Sequence, residues 1–341
     1  MTGRTPRVTV SIVHWNGGES TLACIDSVFA ERLPDLSIVL VDNASTDGIA
    51  DVVAARWPEV TVVRKITNTG FTGGQNAGID AAMAAGADYV LLLNQDALLV
   101  PGCIGRMVAL AEADSRTGLV SPLVYYADQP SRVQFAGSWL LPDAMDVGYD
   151  GDLAVVKARD ADPATTMCLW GTALLIRRQV VEAIGVLDPR LFAYFEDTDY
   201  SVRAARAGWR NRMCFDAGIL HEGHPTRFTR APNFFYFVSR NEMMFWRKAM
   251  PASAFFRVRR LCVARTLREA AKLRDAGLDA QVAACMSGLW DAFVGRVGAY
   301  DATRRAPRWW SWALMRHPYF VADLLEGRVG RRARGGDQRW A

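Results

Sequence analysis

Asn94, Gln95 and Asp96 interrupt an apolar run that extends from Tyr89 to Val100. An unpaired polar group inside a buried strand costs roughly 1–3 kcal/mol. Either the strand ends there in a turn, or these side chains meet a ligand. A carboxylate at a strand end suits a hard divalent cation, Mg²⁺ or Mn²⁺, which takes one or two carboxylates and completes its shell with substrate phosphates and water. Such a cation would neutralise a departing diphosphate. An Asp in an ordinary strand-to-helix turn explains Asp96 equally well when it is taken alone. A second acidic cluster, Glu196, Asp197 and Asp199, follows an aromatic run in FAYFEDTDYSVRAARAGW (Phe192–Trp209). Crowded carboxylates raise at least one pKa among themselves, which suits a general base. A capped helix start would also attract acids, but it accounts less well for the aromatics before them.

A third segment, TNTGFTGGQNAG (Thr67–Gly78), has glycines that let backbone approach a ligand, and it runs into a helix N-terminus. Gly70, Gly73 and Gly74 do not fit the G-x-G-x-x-G spacing, and the Lys of a phosphate-binding P-loop is absent. The turn after the first strand reads HWNGGES, without the clustered glycines of a dinucleotide site. A nicotinamide-dependent oxidoreductase is therefore disfavoured.

These residues need a scaffold, and the first hundred residues alternate strand and helix signals. Strands are expected over Arg7–Trp15, Leu36–Ser45, Val60–Lys65 and from Tyr89 to Asp96; helices fall between them over Gly17–Glu31, from Thr46 to Pro58, and over Gly74–Ala87. Repeated βα units imply a parallel sheet with helices on both faces, and in such sheets ligands sit beyond the carboxyl ends of the strands. The first strand ends at His14-Trp15-Asn16, the second at Asp42-Asn43, the fourth at Asn94-Gln95-Asp96, and the glycine segment follows the third. Four polar clusters at one sheet edge read as a site. Further on, a helix (Gly102–Ala113), a strand in GLVSPLVYY, an irregular stretch of loops or short antiparallel strands over 127–165, a strand MCLWGTALLIRR, a short helix RQVVEAIGVLD and a strand ending at His221 are expected. The chain then becomes helical, with an aromatic-rich helix NFFYFVSRNEMMFWRKAMP and a basic amphipathic one after it.

The 341 residues are 50% hydrophobic and 22% charged, which implies a packed core. No apolar run reaches transmembrane length and no signal-peptide pattern is evident, so a cytosolic location is expected. The six cysteines form no CxxC pair and read as buried thiols. From Pro251 onward 17 Lys and Arg stand against 8 Asp and Glu, leaving 23 against 28 in residues 1–250. A basic, Trp-containing C-terminal region suits an anionic membrane surface. An oligomer contact or a helical packing domain is the plainer reading, and no nucleic-acid-binding module accompanies the charge.

In order and spacing, VTVSIVHWNG, IVLVDNASTDG, NTGFTGGQNAGI, LLLNQD, GTALLIRR and FEDTDYSVRAARAGW resemble the successive motifs of family 2 glycosyltransferases, in particular bacterial rhamnosyltransferase-like members. The resemblance covers about residues 7–250. It implies a GT-A fold, a Rossmann-like mixed and mainly parallel sheet, as a catalytic domain over 1–230 and a helical region over 231–341. It implies an inverting transfer from a nucleotide-diphospho-sugar, with dTDP-rhamnose favoured over UDP-sugars, to a lipid-linked or growing glycan. His14, Trp15, Asn16 and Asp42 would form the nucleoside pocket; Asn68, Gly70, Asn76, Asn94 and Gln95 would line the nucleotide-sugar site. Asp96 takes the metal-ligand position of an Asp-x-Asp motif whose first acid is Asn94 here. Asp197 takes the position of the catalytic base with Glu196 beside it, and His221 a metal or diphosphate position. Trp170, Gly171 and Thr172 fall at the acceptor wall, with Arg240 near a diphosphate. A catalytically silent nucleotide-sugar binder is the rival, motivated by Asn94.

Overall fold

The computed structural model describes residues 5–223 and 227–327. Its elements run β1 (Val8–His14), α1 (Glu19–Phe29), β2 (Leu36–Asp42), α2 (Ile49–Arg56), β3 (Thr61–Arg64), α3 (Gly70–Ala84), β4 (Tyr89–Asn94), β5 (Ala97–Leu99), α4 (Cys103–Ala113) and β6 (Thr117–Tyr126). They continue with β7 (Val133–Phe135), β8 (Ser138–Leu141), β9 (Asp146–Tyr149), α5 (Leu153–Ala161), β10 (Met167–Cys168), β11 (Ala173–Arg177), α6 (Arg178–Ile184), α7 (Glu196–Arg206) and β12 (Arg210–His221). Five helices follow: α8 (Pro232–Ala249), α9 (Phe255–Asp275), α10 (Asp279–Val294), α11 (Arg308–Met315) and α12 (Pro318–Glu326).

The chain divides into two compact units. One takes the chain up to Pro189 together with Glu196–Gly223; the other takes Arg190–Phe195 and the chain after Gly223. The first holds a sheet in the order β3-β2-β1-β4-β11-β6-β12-β5, with β7 on β6, and a small sheet β10-β8-β9. β1 to β4 run parallel, and β11 enters antiparallel between β4 and β6. Val10, Ile12, Leu40, Leu91 and Leu93 are fully buried, as near-continuous apolar strands covered on both faces must be. Parallel pairing sets the site edge by register: His14 is opposite Asp42, Asp42 opposite Arg64, and Val13 opposite Asn94.

Three elements depart from the sequence reading. α3 starts at Gly70, four residues before the expected helix, so much of the glycine segment is helix. Its glycines serve packing: a Cβ on Gly74 would stand 2.7 Å from Val13, and one on Gly78 would stand 1.9 Å from the Ser11 hydroxyl. MCLWGTALLIRR is two strands in different sheets, parted at Leu169–Thr172. The stretch read as loops or short antiparallel strands holds β7, β8 and β9, which pair antiparallel in keeping with that reading, and departs from it only in the helix α5, capped by the Asp152 carboxylate accepting from the Ala154 amide. All six cysteines are buried free thiols.

The second unit is helical. Phe235, Tyr236, Phe237 and Trp246 of α8 are buried. α10 crosses α8 closely enough that a Cβ on Gly288 would stand 2.2 Å from the Tyr236 carbonyl oxygen. α12 is tied to α9 by Arg268, which reaches Asp323 at 2.6 Å and Glu326 at 2.8 Å. No helix among the described residues is long and apolar enough to cross a membrane. The Arg-rich end of the chain from residue 328 lies outside the described residues.

Candidate active site

β4 ends at Asn94, and the next two residues form the turn that reverses the chain into β5. β5 pairs antiparallel with the end of β12, placing Ala97 opposite His221. The imidazole Nε2 of His221 consequently lies 3.5 Å from the Asp96 carboxylate and 3.4 Å from the Asn94 side-chain nitrogen. The other ring nitrogen, Nδ1, stands 2.9 Å from Oε1 of Gln134. An amide oxygen only accepts, so Nδ1 carries the proton and Nε2 is left with its lone pair. In that tautomer Nε2 can accept from the Asn94 side-chain N–H and stands beside the Asp96 carboxylate, so lone pair and carboxylate can share one cation. This donor set fits a divalent metal that draws further ligands from substrate phosphates. Among the described residues no group of three or more His, Cys, Asp and Glu gathers into a complete cage.

The acidic cluster lies at the start of α7. Asp197 accepts from the Gly171 amide at 3.0 Å through Oδ2 and from the Thr198 amide at 2.6 Å through Oδ1. Burial pushes its pKa above the ordinary Asp value despite these bonds. Glu196 is raised well above the Glu value by burial first and then by the adjacent Asp197 charge, and its Oε2 has no hydrogen-bond partner. Asp199 is matched by Arg203 at 2.9 Å. Burial and mutual repulsion thus leave a site that favours one proton shared by two carboxylates.

The segment between β10 and β11 joins the two clusters. The Thr172 carbonyl accepts from the Asn94 amide at 2.9 Å, while the neighbouring Gly171 amide donates to Asp197. Trp170 stacks on Phe135 with ring centroids 4.2 Å apart. A Cβ on Gly171 would touch the Phe71 ring at 3.3 Å.

At the β1–β2 end, Asp42 accepts from the Ser45 amide at 2.9 Å and stands 3.7 Å from Arg64. Asn16 accepts from the Thr46 amide at 2.9 Å, and Trp15 is half exposed. The Gln95 side chain turns back to accept from the Trp15 amide at 2.8 Å. Asn68 accepts from the Gly70 amide at 2.8 Å.

Three expected site residues have other engagements. His14 is fully buried, with one ring nitrogen 2.8 Å from the Thr21 hydroxyl and the other 3.0 Å from Asp47, so neither nitrogen faces a nucleoside. Although burial raises the Asp47 carboxyl, the bonds from His14, Gly18 and Ile49 hold it below its ordinary value. Asn76 donates to the Leu187 carbonyl and accepts from its amide. Arg240, in the helical unit, is fully buried and donates to the carbonyls of Gly298 at 2.7 Å and Leu191 at 2.8 Å. The sequence reading passed over Gln134, which sits in the stretch taken as irregular. It also left Asn43 to the turn; Asn43 orders the glycine segment by donating to Gly70 and accepting from Thr69.

The family model "Glycosyltransferase like family 2" matches residues 6–243. An N-acetylglucosaminyl-diphospho-decaprenol L-rhamnosyltransferase of Mycobacterium tuberculosis is 28% identical over 247 residues, 66% of this chain and 78% of the relative. A galactofuranosyltransferase of the same organism, GlfT1, is 30% identical over 192 residues, 56% of this chain and 61% of the relative. Among solved structures, the mannosyltransferase PcManGT of Pyrobaculum calidifontis, in complex with GDP-Man and Mn²⁺, superposes with a TM-score of 0.55 at 18% identity, covering 97% of this chain and 89% of that one. GalNAc-T7 with UDP, GalNAc and Mn²⁺ gives 0.53 at 15% identity, covering 73% and 52%. The fold is shared with these glycosyltransferases and is of the GT-A type.

Proposed function

The chain belongs to glycosyltransferase family 2, and from that membership we propose that it is an inverting, metal-dependent enzyme that moves rhamnose from dTDP-rhamnose to a hydroxyl of a lipid-linked or cell-surface glycan. The observation that carries this reading is the pairing of two clusters through two successive residues, Gly171 and Thr172: Asn94 with Asp96 and His221 on one side, Asp197 on the other. The mycobacterial rhamnosyltransferase supports the sugar and the lipid-linked acceptor. GDP-Man, UDP and Mn²⁺ in the structural relatives support a nucleotide-sugar and a divalent ion.

Asp197 accepts the proton of the acceptor hydroxyl. The freed oxygen attacks the anomeric carbon from the face opposite the nucleoside diphosphate, the glycosidic bond forms, the bond to the diphosphate oxygen breaks, and configuration inverts. The buried carboxylate is a stronger base than an exposed Asp because burial disfavours its charge. Glu196 keeps a proton and spares Asp197 a second adjacent charge. Asp96 and His221 would hold the divalent ion, with the neutral Asn94 beside them; bound there, it offsets the charge of the departing diphosphate. Asp42 and Asn16 lie at the edge where a nucleoside would rest, with Trp15, and Trp170 to Thr172 border the acceptor side. The reading places the enzyme in the cytoplasm, at the inner face of the cell membrane.

The test is a donor panel. Purified protein is given dTDP-rhamnose, UDP-sugars and GDP-sugars, with Mg²⁺, Mn²⁺ or chelator, and diphosphate release is followed. Turnover of dTDP-rhamnose that is lost on chelation and in Asp96→Ala supports the reading. Turnover of a UDP-sugar alone corrects the donor. Donor binding by calorimetry without turnover, even with a lipid-linked acceptor present, leaves a silent binder.

A further inference from the structure

α11 and α12 both lie against α9, yet their other faces carry large apolar side chains in the open. Trp309 is 62% exposed, Trp312 64%, Phe320 59% and Leu324 57%. The spacing is helical in both cases: Trp309 and Trp312 lie within one turn of α11, and Phe320 and Leu324 are one turn apart on α12. Of these four, Trp309 also meets the Trp290 ring edge-on, with centroids 6.1 Å apart, while most of its surface stays open. α12 is held by its polar side through Arg268 and by the Tyr319 hydroxyl on Asp275, and Trp310 rather than Trp312 turns inward onto Phe293 and Trp290.

The charges at the two ends of α11 are positive. Arg308 and Arg316 are exposed at the two ends of α11, and neither has a carboxylate partner among the described residues. Arg316 instead lies over the Trp312 ring, 5.2 Å from its centre. Of the acids on α12, Asp323 and Glu326 are both committed to Arg268. Residues 328–341, outside the described residues, carry five Arg and one Asp in the sequence.

Tryptophan beside unpaired arginine, with phenylalanine and leucine on a neighbouring turn, is the chemistry of a headgroup boundary. The indole ring is apolar with one polar edge, the guanidinium binds lipid phosphate, and the aliphatic groups enter the acyl layer. We propose that the outward faces of α11 and α12 dock this protein on an anionic lipid bilayer. The proposal deepens the lipid-linked-acceptor reading and takes its purpose from it, while the docking itself needs no transferase chemistry. The excess of unpaired positive charge favours an anionic bilayer over a second copy of the same face, which would bring like charges together.

The experiment is co-sedimentation of the full-length protein with phosphatidylcholine vesicles, with and without phosphatidylglycerol, at low and high salt. Binding is expected only with the anionic lipid, weakening with salt, and accompanied by a blue shift of tryptophan emission. Arg308→Gln and Arg316→Gln should each weaken it roughly fivefold, and the double variant Trp312→Ser/Phe320→Ser should abolish it. Both replaced side chains in the double variant are exposed, and an unchanged thermal midpoint shows that it folds. Vesicle binding by these variants at the wild-type level would overturn the proposal, as would wild-type binding to neutral vesicles as well as to anionic ones, or none at all. A dimer in ultracentrifugation that Trp312→Ser/Phe320→Ser dissociates would also overturn it, assigning the face to a second copy. Donor turnover in vesicle-free buffer separates the two readings: vesicle binding without turnover sinks the transferase and leaves the docking face, and turnover without binding does the reverse.

Discussion

Arg240 donates from Nε to Oδ1 of Asn241 at 2.9 Å, and neither side chain reaches solvent. With its oxygen so occupied, the Asn241 amide nitrogen lies 2.8 Å from the carbonyl oxygens of Leu191, Ala193 and Tyr194. That segment contains Phe192, Tyr194 and Phe195 at φ 65°, 68° and 72°, left-handed values that side-chain-bearing residues rarely adopt. Each costs of order 1 kcal/mol and persists only where neighbours over-determine it. Asn241→Ala removes the donors and strands buried carbonyls, so a loss of at least about 2 kcal/mol is expected in urea denaturation. A denaturation midpoint unchanged from wild type would show that the segment holds itself.

Asp197→Asn is expected to lower transfer by roughly 10²–10⁴-fold while donor affinity stays close to wild type. In the wild type, the acid limb of the pH–rate profile should lie above the ordinary Asp range, because burial raises this carboxyl and only its ionised form accepts a proton. Rate profiles with calorimetry on the variant check both halves. Transfer at wild-type rate would remove Asp197 from the base role.

Glu196 gives a stability prediction with a definite sign. Its folded pKa lies well above the ordinary Glu value of 4.5 because it is buried, beside the Asp197 charge. The native state therefore holds this proton more tightly than the unfolded chain, and its contribution is present at low pH and lost as pH rises from about 4.5 towards the folded value. Glu196→Gln cannot ionise. Its thermal midpoint should gain on wild type steadily with rising pH across that window; parallel curves would show that the carboxyl is not buried as described.

Gln134 orients a proposed metal ligand without touching the metal. Gln134→Leu deletes the acceptor that fixes the His221 ring, and a loss of about 10–100-fold in Mn²⁺ affinity is expected. Titration of donor turnover against Mn²⁺ reads it: the half-saturating concentration should rise while the rate at saturation changes little. A change in the saturated rate alone would place His221 elsewhere in the reaction.

Gly78→Ala tests the seat of α3 on β1. The added Cβ would stand 1.9 Å from the Ser11 hydroxyl and 2.9 Å from its Cβ, an overlap that costs about 1–3 kcal/mol. Ser11→Ala in the same chain removes the nearer atom, and thermal denaturation should show part of the loss recovered.

The first four strands were legible because buried parallel strands are continuous apolar runs, and the site edge followed from where those runs stop. Asp96 and His221 were legible as residue types at strand ends. Their juxtaposition was not, since it depends on β5, three residues long, pairing with β12 across more than a hundred residues of chain. His14 and Arg240 show the opposite limit. A polar residue at a strand end or in a helix looks the same in sequence whether it faces a ligand or closes a buried network. The glycines of α3 were ambiguous for a related reason, because close approach to a strand and close approach to a phosphate ask for the same missing Cβ.

Two successive residues bond in opposite directions: the Gly171 amide donates to Asp197, and the Thr172 carbonyl accepts from the Asn94 amide. Consecutive Cα atoms across a trans peptide are held about 3.8 Å apart, so this link works as a gauge between the Asp197 carboxylate and the end of β4. Sequence drift in the surrounding loops can alter the side chains around the site, but the gauge itself contributes only backbone atoms, which substitution leaves in place. A diversified descendant would be expected to change its sugar or its acceptor long before it changed the spacing at which it works.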